Sequence, residues 1–390
     1  MPSEEKSQPI LLCEPFLEGN EWLYLKECLD TKWVSSAGKF VSRFERKIAE
    51  YVGVEHAVAT VNGTAALHMA LLVAGVEPGD EVVTSTLTFI APANAIRHSG
   101  ATPVFIDADP LTWQMDANLA AGFLSERCEK RGGRLYNRST GRRVGAFLPV
   151  HILGHPVDMD PLLELARDFE LPVVEDASES LGASYKGRKV GAMGDIACFS
   201  FNGNKLITCG GGGMIVTGDG DWAARARHLS TQARSEPIEY IHDQVAYNYR
   251  LTNIQAALGC AQFEQLDRLI AAKRRIAEAY RHLCGQLPGL TYMPEAPWAE
   301  CVFWLSTVVV DPGAFGMDSR GLLACLAEKK IETRPVWQPI HRGAAHRGAL
   351  FVDTGAADHL HSHGLFLPSS CGLTAKEQER VIEAISAATG

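Results

Sequence analysis

The sequence predicts an α/β protein: a large three-layer domain on a mainly parallel, mixed sheet, then a smaller C-terminal α+β domain. Two patterns carry this expectation. From His56 to about Asn202, short continuous apolar runs alternate with helix-like segments, and such runs suit strands covered by helices on both faces. From Ile254 onward one long helical run leads into a mixed region of strands and helices.

Taken in order, HAVATV reads as a strand and AALHMALLVAG as the helix after it. EVVTS, APANAIRHSG and TPVFIDAD continue as strand, helix and strand; VGAFLPVHI, MDPLLELARDFE, LPVVEDA and ACFSFN repeat the pattern. IQAALGCAQFEQLDRLIAAKRRIAEAYRHLCGQL is the long helical run, followed by strand-like VFWLSTVVVD and helices at SRGLLACLAEKK and TAKEQERVIEAISAAT. The expected units are a segment 1–26 packing on the small domain, a large domain 27–265 and a small domain 266–390. No internal repeat or low-complexity segment is visible.

Composition narrows the function. The chain has 390 residues, 46% hydrophobic and 21% charged, enough apolar material for a substantial core. A net charge of -9 argues against general nucleic-acid binding, which needs many cations on phosphates. No run of about 18 apolar residues suggests a membrane span, and the opening MPSEEKSQPILLCEPF lacks a basic stretch followed by a long apolar one. Ten cysteines without a CxxC pair read as thiols in a reducing cytoplasm. Ser125 to Val144 is basic and glycine-punctuated; the bland reading is a solvated surface loop, the functional one a cationic loop near a diphosphate-bearing substrate.

Three places carry chemistry. Asn62-Gly63-Thr64-Ala65-Ala66 sits where a strand gives way to a helix, so unpaired amides, the helix dipole and the Thr64 hydroxyl suit a phosphate; Thr64 could equally be a simple cap. Val173-Val174-Glu175-Asp176 is an apolar strand ending in two acids, where α/β proteins place ligands. Asp176 could hold a protonated ring nitrogen, or cap a helix. Lys205 lies between the strand ACFSF and the run GGGGM, where glycines permit close backbone approach. A lysine held among apolar strands can become a nucleophile toward aldehydes, although most lysines in polar turns are solvated. Together the three list the parts of a pyridoxal phosphate pocket. His151 and His155 in VHILGHP are expected to fix a turn, and no metal site is expected.

With these residues in place, the sequence resembles fold type I pyridoxal-phosphate enzymes, specifically the DegT/DnrJ/EryC1/StrS sugar aminotransferases. The likeness runs over nearly the whole chain, through WVSSAGKFVSRFE, NGTAALHMAL, LTFIAPANAIRHSGATPVFIDAD, PVHILGHPVDMD, VVEDASESLGASYKG, GDIACFSFNGNK, GGGGMI, YNYRLTNIQAALGCAQ, IETRPVWQPIH and LFLPSSCGLT. It implies that Lys205 bonds to the cofactor and shuttles the proton, and that Asp176 pairs with the pyridinium nitrogen. Gly63, Thr64, Ala65 and Ser200 would hold the phosphate, and Phe89 would stack on the ring. Glu179 stands where many relatives carry Gln, at the position that contacts the ring hydroxyl, so its titration is expected to couple to that oxygen. Asn248 would reach the cofactor phosphate of a neighbouring subunit, implying a homodimer with shared sites. Trp33, Ser35, Gly38, Arg250, Arg334 and His341 are the implied substrate contacts.

The implied reaction moves the amino group of L-glutamate to the C4 ketone of a nucleotide-linked 4-keto-6-deoxysugar by ping-pong kinetics. EDASESLG, FNGNK and the basic insert resemble the branch acting on UDP-linked N-acetylated sugars. A dTDP- or GDP-linked sugar, or a 3-keto sugar, is the alternative. A nicotinamide enzyme is disfavoured, since GGGG follows a lysine loop and does not open a GxGxxG turn. A regulator retaining this fold without turnover is the rival from another class.

Overall fold

The computed structural model describes residues 8–236 and 238–388. Residues 1–7 of the predicted N-terminal segment and 389–390 of the predicted small domain lie outside the described residues.

The continuous apolar strands are buried on both faces because one sheet divides two apolar clusters. In chain order its strands are β1 (His56–Thr60), β2 (Glu81–Ser85), β3 (Thr102–Ile106), β4 (Val144–Leu148), β5 (Val174–Asp176), β6 (Ile196–Ser200) and β7 (Gly213–Thr217). Hydrogen-bonded ladders give the orders β1-β7-β6-β5 and β4-β2-β3, and parallel bridges Phe147–Val173 and Val150–Asp176 join β4 to β5. Only β7 runs against its neighbours.

Alternation assigns the side chains to the two clusters. Ala146, Leu148, Cys198 and Ile215 face one side, with Leu67 and Leu71 of α3 (Gly63–Val73). Phe147, Phe199, Met214 and Val216 face the other, with Phe44 and Ile48 of α2 (Lys39–Val52).

The C-terminal sheet is antiparallel: β8 (Leu290–Tyr292), β9 (Ser306–Val310), β10 (Arg334–Pro335) and β12 (Gly364–Leu367) pair in the order β8-β9-β12-β10. Between β10 and β12, however, β11 (Phe351–Val352) leaves this unit and pairs in parallel with β3 of the large sheet. Ala299–Glu300 likewise pairs with Ser184–Tyr185. A single cut at 265/266 therefore does not separate the two units. Asp107, fully buried at the end of β3, fastens the crossing by accepting hydrogen bonds from the amides of Thr354, Ala356 and Ala357.

The expected 1–26 segment also divides. Ile10 exchanges backbone hydrogen bonds with Lys330 and Glu332 of the C-terminal unit. The helix Glu21–Asp30 packs instead against Asn253–Phe263, where Gln262 Nε2 donates to Glu21 Oε1 at 2.6 Å.

The basic stretch is a hairpin, Cys128–Arg131 with Arg134–Asn137, and its charges are engaged locally. Lys130 meets Glu170 at 2.7 Å, Arg143 grips Asp80, and Asn137 Nδ2 donates to Glu81 Oε2 at 2.8 Å. Since Glu81 begins β2 and Val144 begins β4, the hairpin lies at the opposite end of these strands from their C-terminal edge.

Candidate active site

The C-terminal ends of β1, β5 and β6 converge on a cleft of about 650 Å³. Its walls include Gly63, Thr64, Phe89, Asp176, Glu179, Ser200, Lys205 and Arg334, residues far apart in sequence that the fold brings together.

β1 passes through Asn62 into α3. Asn62 caps this helix by accepting the Ala65 amide at 2.8 Å, and its carbonyl takes the Ala66 amide at 3.1 Å. The Ala65 N–H expected to face a phosphate donates to Asn62 instead, and the Gly63 and Thr64 amides stand at the positive end of the helix. Gly63 must be glycine here: a Cβ would stand 2.8 Å from Ser200 Cβ. The run before β7 is equally constrained, because a Cβ on Gly213 would stand 2.5 Å from the Asn62 carbonyl oxygen and Gly212 has φ +125°.

Strand alternation separates the two acids of β5. Glu175 points into the core, where Gly191, Met193 and Gly194 donate amides and His151 Nε2 lies 3.0 Å away, and these partners hold its carboxyl below the usual range despite burial. The Val157 amide donates to His151 Nδ1, so His151 Nε2–H donates a hydrogen bond to Glu175. His155 accepts the Ala296 amide at Nε2 and meets the Pro156 carbonyl through Nδ1, and burial lowers it to about 4. Both histidines fix the turn, and no cluster of three metal-ligating side chains occurs among the described residues.

Asp176 faces the cleft. It is 3% exposed, accepts the Ser178 amide at 3.0 Å, and burial raises its carboxyl above the usual range despite its bonds to Ser178. A buried carboxylate so poorly compensated calls for a cationic partner, which the protonated nitrogen of a pyridine ring provides. With the glycine-lined turn at Ser200, this donor set fits pyridoxal phosphate.

Lys205 stands in the turn after β6, its amide bonded to the Asn202 carbonyl at 3.0 Å and its side chain only 12% exposed. Nζ lies 3.6 Å from Glu179 Oε1, and Glu179 Oε2 accepts the Leu153 amide at 2.7 Å. Burial nevertheless outweighs the lysine's pull and pushes the Glu179 carboxyl up to about 7.

The remaining expected residues separate. Phe89, 54% exposed, and Arg334, which bonds Glu332, both line the cleft. His341 does not: Nδ1 pairs with Thr86 Oγ1 at 2.7 Å and the ring stacks on Phe351 at 3.7 Å, so it anchors the β11 crossing. Arg250 is likewise committed within the chain, to Glu45 at 3.0 Å and the Ala59 carbonyl at 2.9 Å. Arg250 does not line the cleft of its own chain.

Trp33 and Gly38 line a separate crevice beside Asn253, whose amide donates to the Ser35 carbonyl at 2.6 Å. Asn248 is exposed and away from its own chain's cleft. Residues that the sequence reading missed complete the wall: Asn202, Asn204, Trp304, Trp337 and His361. Trp304 was hidden in VFWLSTVVV, where it reads as one more apolar strand position.

Glu179 gives a pH test of this geometry in cofactor-free protein. A carboxyl at about 7 in the folded chain, against an ordinary 4.5, holds a proton that the unfolded chain has released, so its presence lowers stability as pH rises from about 4.5 to about 7. Glu179→Gln removes this cost while keeping an acceptor for Leu153. Urea denaturation of the two proteins should show the variant gaining on the parent across that window, by up to about 3 kcal/mol above pH 7. A difference independent of pH would contradict the assignment.

Comparison with known proteins agrees with this chemistry. The family model described as "DegT/DnrJ/EryC1/StrS aminotransferase family" matches residues 16–386. The chain is 41% identical over 377 residues to a GDP-perosamine synthase of Caulobacter vibrioides, covering 96% of this chain and 97% of that protein. It is 40% identical to EpsN of Bacillus subtilis, named as a putative pyridoxal phosphate-dependent aminotransferase, covering 96% and 95%. Among solved structures, the aminotransferase TlmJ from Streptoalloteichus hindustanus superimposes with a TM-score of 0.87 at 26% identity, covering 97% and 98% of the two chains. The chain belongs to the DegT/DnrJ/EryC1/StrS aminotransferase family, whose members are pyridoxal-phosphate enzymes.

Proposed function

We propose that this sugar aminotransferase moves the amino group of L-glutamate to the C4 ketone of a GDP-linked 4-keto-6-deoxyhexose. The 41% identity to a GDP-perosamine synthase over nearly the whole chain carries the choice of nucleotide. The UDP-linked N-acetylated sugar implied by the basic insert has weaker support, because that insert is a hairpin at the far end of the strands whose Lys130 and Arg143 are paired with Glu170 and Asp80.

The cofactor supplies an aldehyde that takes up the donor's amino group and a ring that withdraws the electron pair freed when a proton leaves carbon. The protein's residues do the rest. The Gly63 and Thr64 amides with the Ser200 hydroxyl would hold the phosphate at the start of α3. Asp176 would keep the ring nitrogen protonated, and Glu179 would bond the ring hydroxyl. Lys205 would bond the cofactor at rest, take the α-proton of glutamate in the first half-reaction and deliver a proton to C4 of the sugar in the second. Arg334, which lines the cleft and pairs with Glu332, would meet the donor's carboxylate or the sugar's phosphates.

A homodimer with shared sites accounts for the residues outside this cleft. Trp22, Leu23, Leu29, Trp33 and Val34 form an exposed apolar run, and Tyr240, Ile241 and Val245 are exposed shortly before Asn248. Exposed apolar residues grouped near Asn248 and the Trp33–Gly38 crevice are consistent with these surfaces meeting a second copy.

Two experiments test this reading. Holoenzyme supplied with glutamate and GDP-, UDP- or dTDP-linked 4-keto-6-deoxysugars should form a 4-amino sugar with kcat/KM at least tenfold higher for the GDP substrate; preference for a UDP N-acetyl sugar would overturn the nucleotide assignment. Mixing inactive Lys205→Ala and Asn248→Ala proteins under conditions of subunit exchange should restore part of the activity, since one hybrid site receives neither lesion. No recovery despite verified exchange would contradict shared sites.

A further inference from the structure

Trp304 touches the lysine turn in two ways. Its indole face lies 3.8 Å, centroid to nitrogen, from Lys205 Nζ, within the reach of a cation–π contact. Its Nε1–H donates to the Asn204 carbonyl at 2.7 Å, on the peptide immediately before Lys205. We propose that Trp304 is a positioning residue for Lys205, holding its side-chain nitrogen against the ring face so that it captures the cofactor aldehyde and recaptures it once per cycle, when the amino product leaves at the end of the second half-reaction.

The surroundings fix Trp304 more firmly than a strand residue needs. It is 3% exposed, its ring lies within 19° of parallel to Trp337 at 6.3 Å, and its carbonyl accepts a hydrogen bond from the buried Lys273 at 2.7 Å. Its amide donates to the Leu153 carbonyl at 3.0 Å, while the Leu153 amide donates to Glu179. Leu153 thus holds both partners of Lys205 Nζ, the indole on one side and the Glu179 carboxylate on the other. It does so at φ +60°, a conformation that a branched side chain adopts only when its neighbours over-determine it.

Lysine has a long flexible stem, and an unheld amine in a cleft this size would sample many rotamers. Pinned between Glu179 and Trp304, with Asp176 the other nearby carboxylate, Nζ stays beside the place where the aldehyde carbon must come. In capture, the held ammonium first releases a proton to solvent, the resulting amine adds its lone pair to that carbon, a C=N bond forms, and the aldehyde oxygen leaves as water. The indole takes no part in these bonds.

This role rests on the cofactor and not on the identity of the sugar, so its test needs no sugar. Protein stripped of cofactor is given pyridoxal phosphate, which Lys205 can bond, or pyridoxamine phosphate, which it cannot. Trp304→Leu removes both contacts; Trp304→Phe keeps an aromatic face and removes the N–H. The rate of covalent capture should fall about tenfold in Trp304→Leu and largely recover in Trp304→Phe, while the Kd for pyridoxamine phosphate stays within about twofold of the parent in both. Capture at the parental rate in Trp304→Leu would overturn the proposal. So would equal weakening of both ligands, which marks a general packing role, or a Phe variant no better than Leu.

Discussion

Gly213 crosses the turn after β1 so closely that any side chain there would collide with the Asn62 carbonyl, 2.5 Å from the position of a Cβ. That contact makes the site. It seats β7 beside β1, brings the Gly63 amide against Ser200, and leaves the Lys205 turn, which lies between β6 and β7, facing the end of α3. Phe201 and Cys209, at either end of this turn, are closed by backbone hydrogen bonds to Gly212 and to each other. The turn at the start of α3 and the lysine are therefore two sides of one backbone crossing, which Gly212 and Gly213 permit. Because β7 is antiparallel, it can pass between two parallel strands and tie the start of the domain to its middle.

Around that crossing the chain buries an unusual amount of charge, and each carboxylate is handled differently. Glu175 is fully satisfied by three amides and His151, and so belongs to the scaffold. Asp176, one residue on and on the opposite face, has one amide. Glu179 has an amide and a distant ammonium, and burial keeps it near neutrality. Fully satisfied groups rigidify, whereas incompletely satisfied ones are poised for a ligand. The distinction between Glu175 and Asp176 is set by nothing more than the two-residue period of a strand.

The sequence was informative where chemistry sits at the end of a regular element. Thr64, Asp176 and Lys205 each follow a recognisable strand, so their meeting at one sheet edge follows from α/β topology. It was uninformative where a residue's partner is distant. Arg250 looked like an available cation until the fold placed Glu45, 205 positions earlier, against it. His341 looked free until β11 crossed back to β3. A two-residue strand leaves no periodicity to detect, and Trp304 carried no mark distinguishing it from the core around it. The basic stretch did contain a signal: Gly132-Gly133 between two short runs suits a hairpin turn, and both have positive φ.

The claim at the centre of this account is that Lys205, and no other lysine, bonds the cofactor. Lys273 is the natural control, being buried but fully engaged with the Trp304 and Ser369 carbonyls. Borohydride reduction of the holoenzyme, followed by proteolysis and peptide mass mapping, reads the attachment directly. The account predicts one reduced pyridoxyl phosphate group per chain, on the peptide containing Lys205. A group on Lys273 or any other lysine, or none on a protein that retains its cofactor, would contradict it.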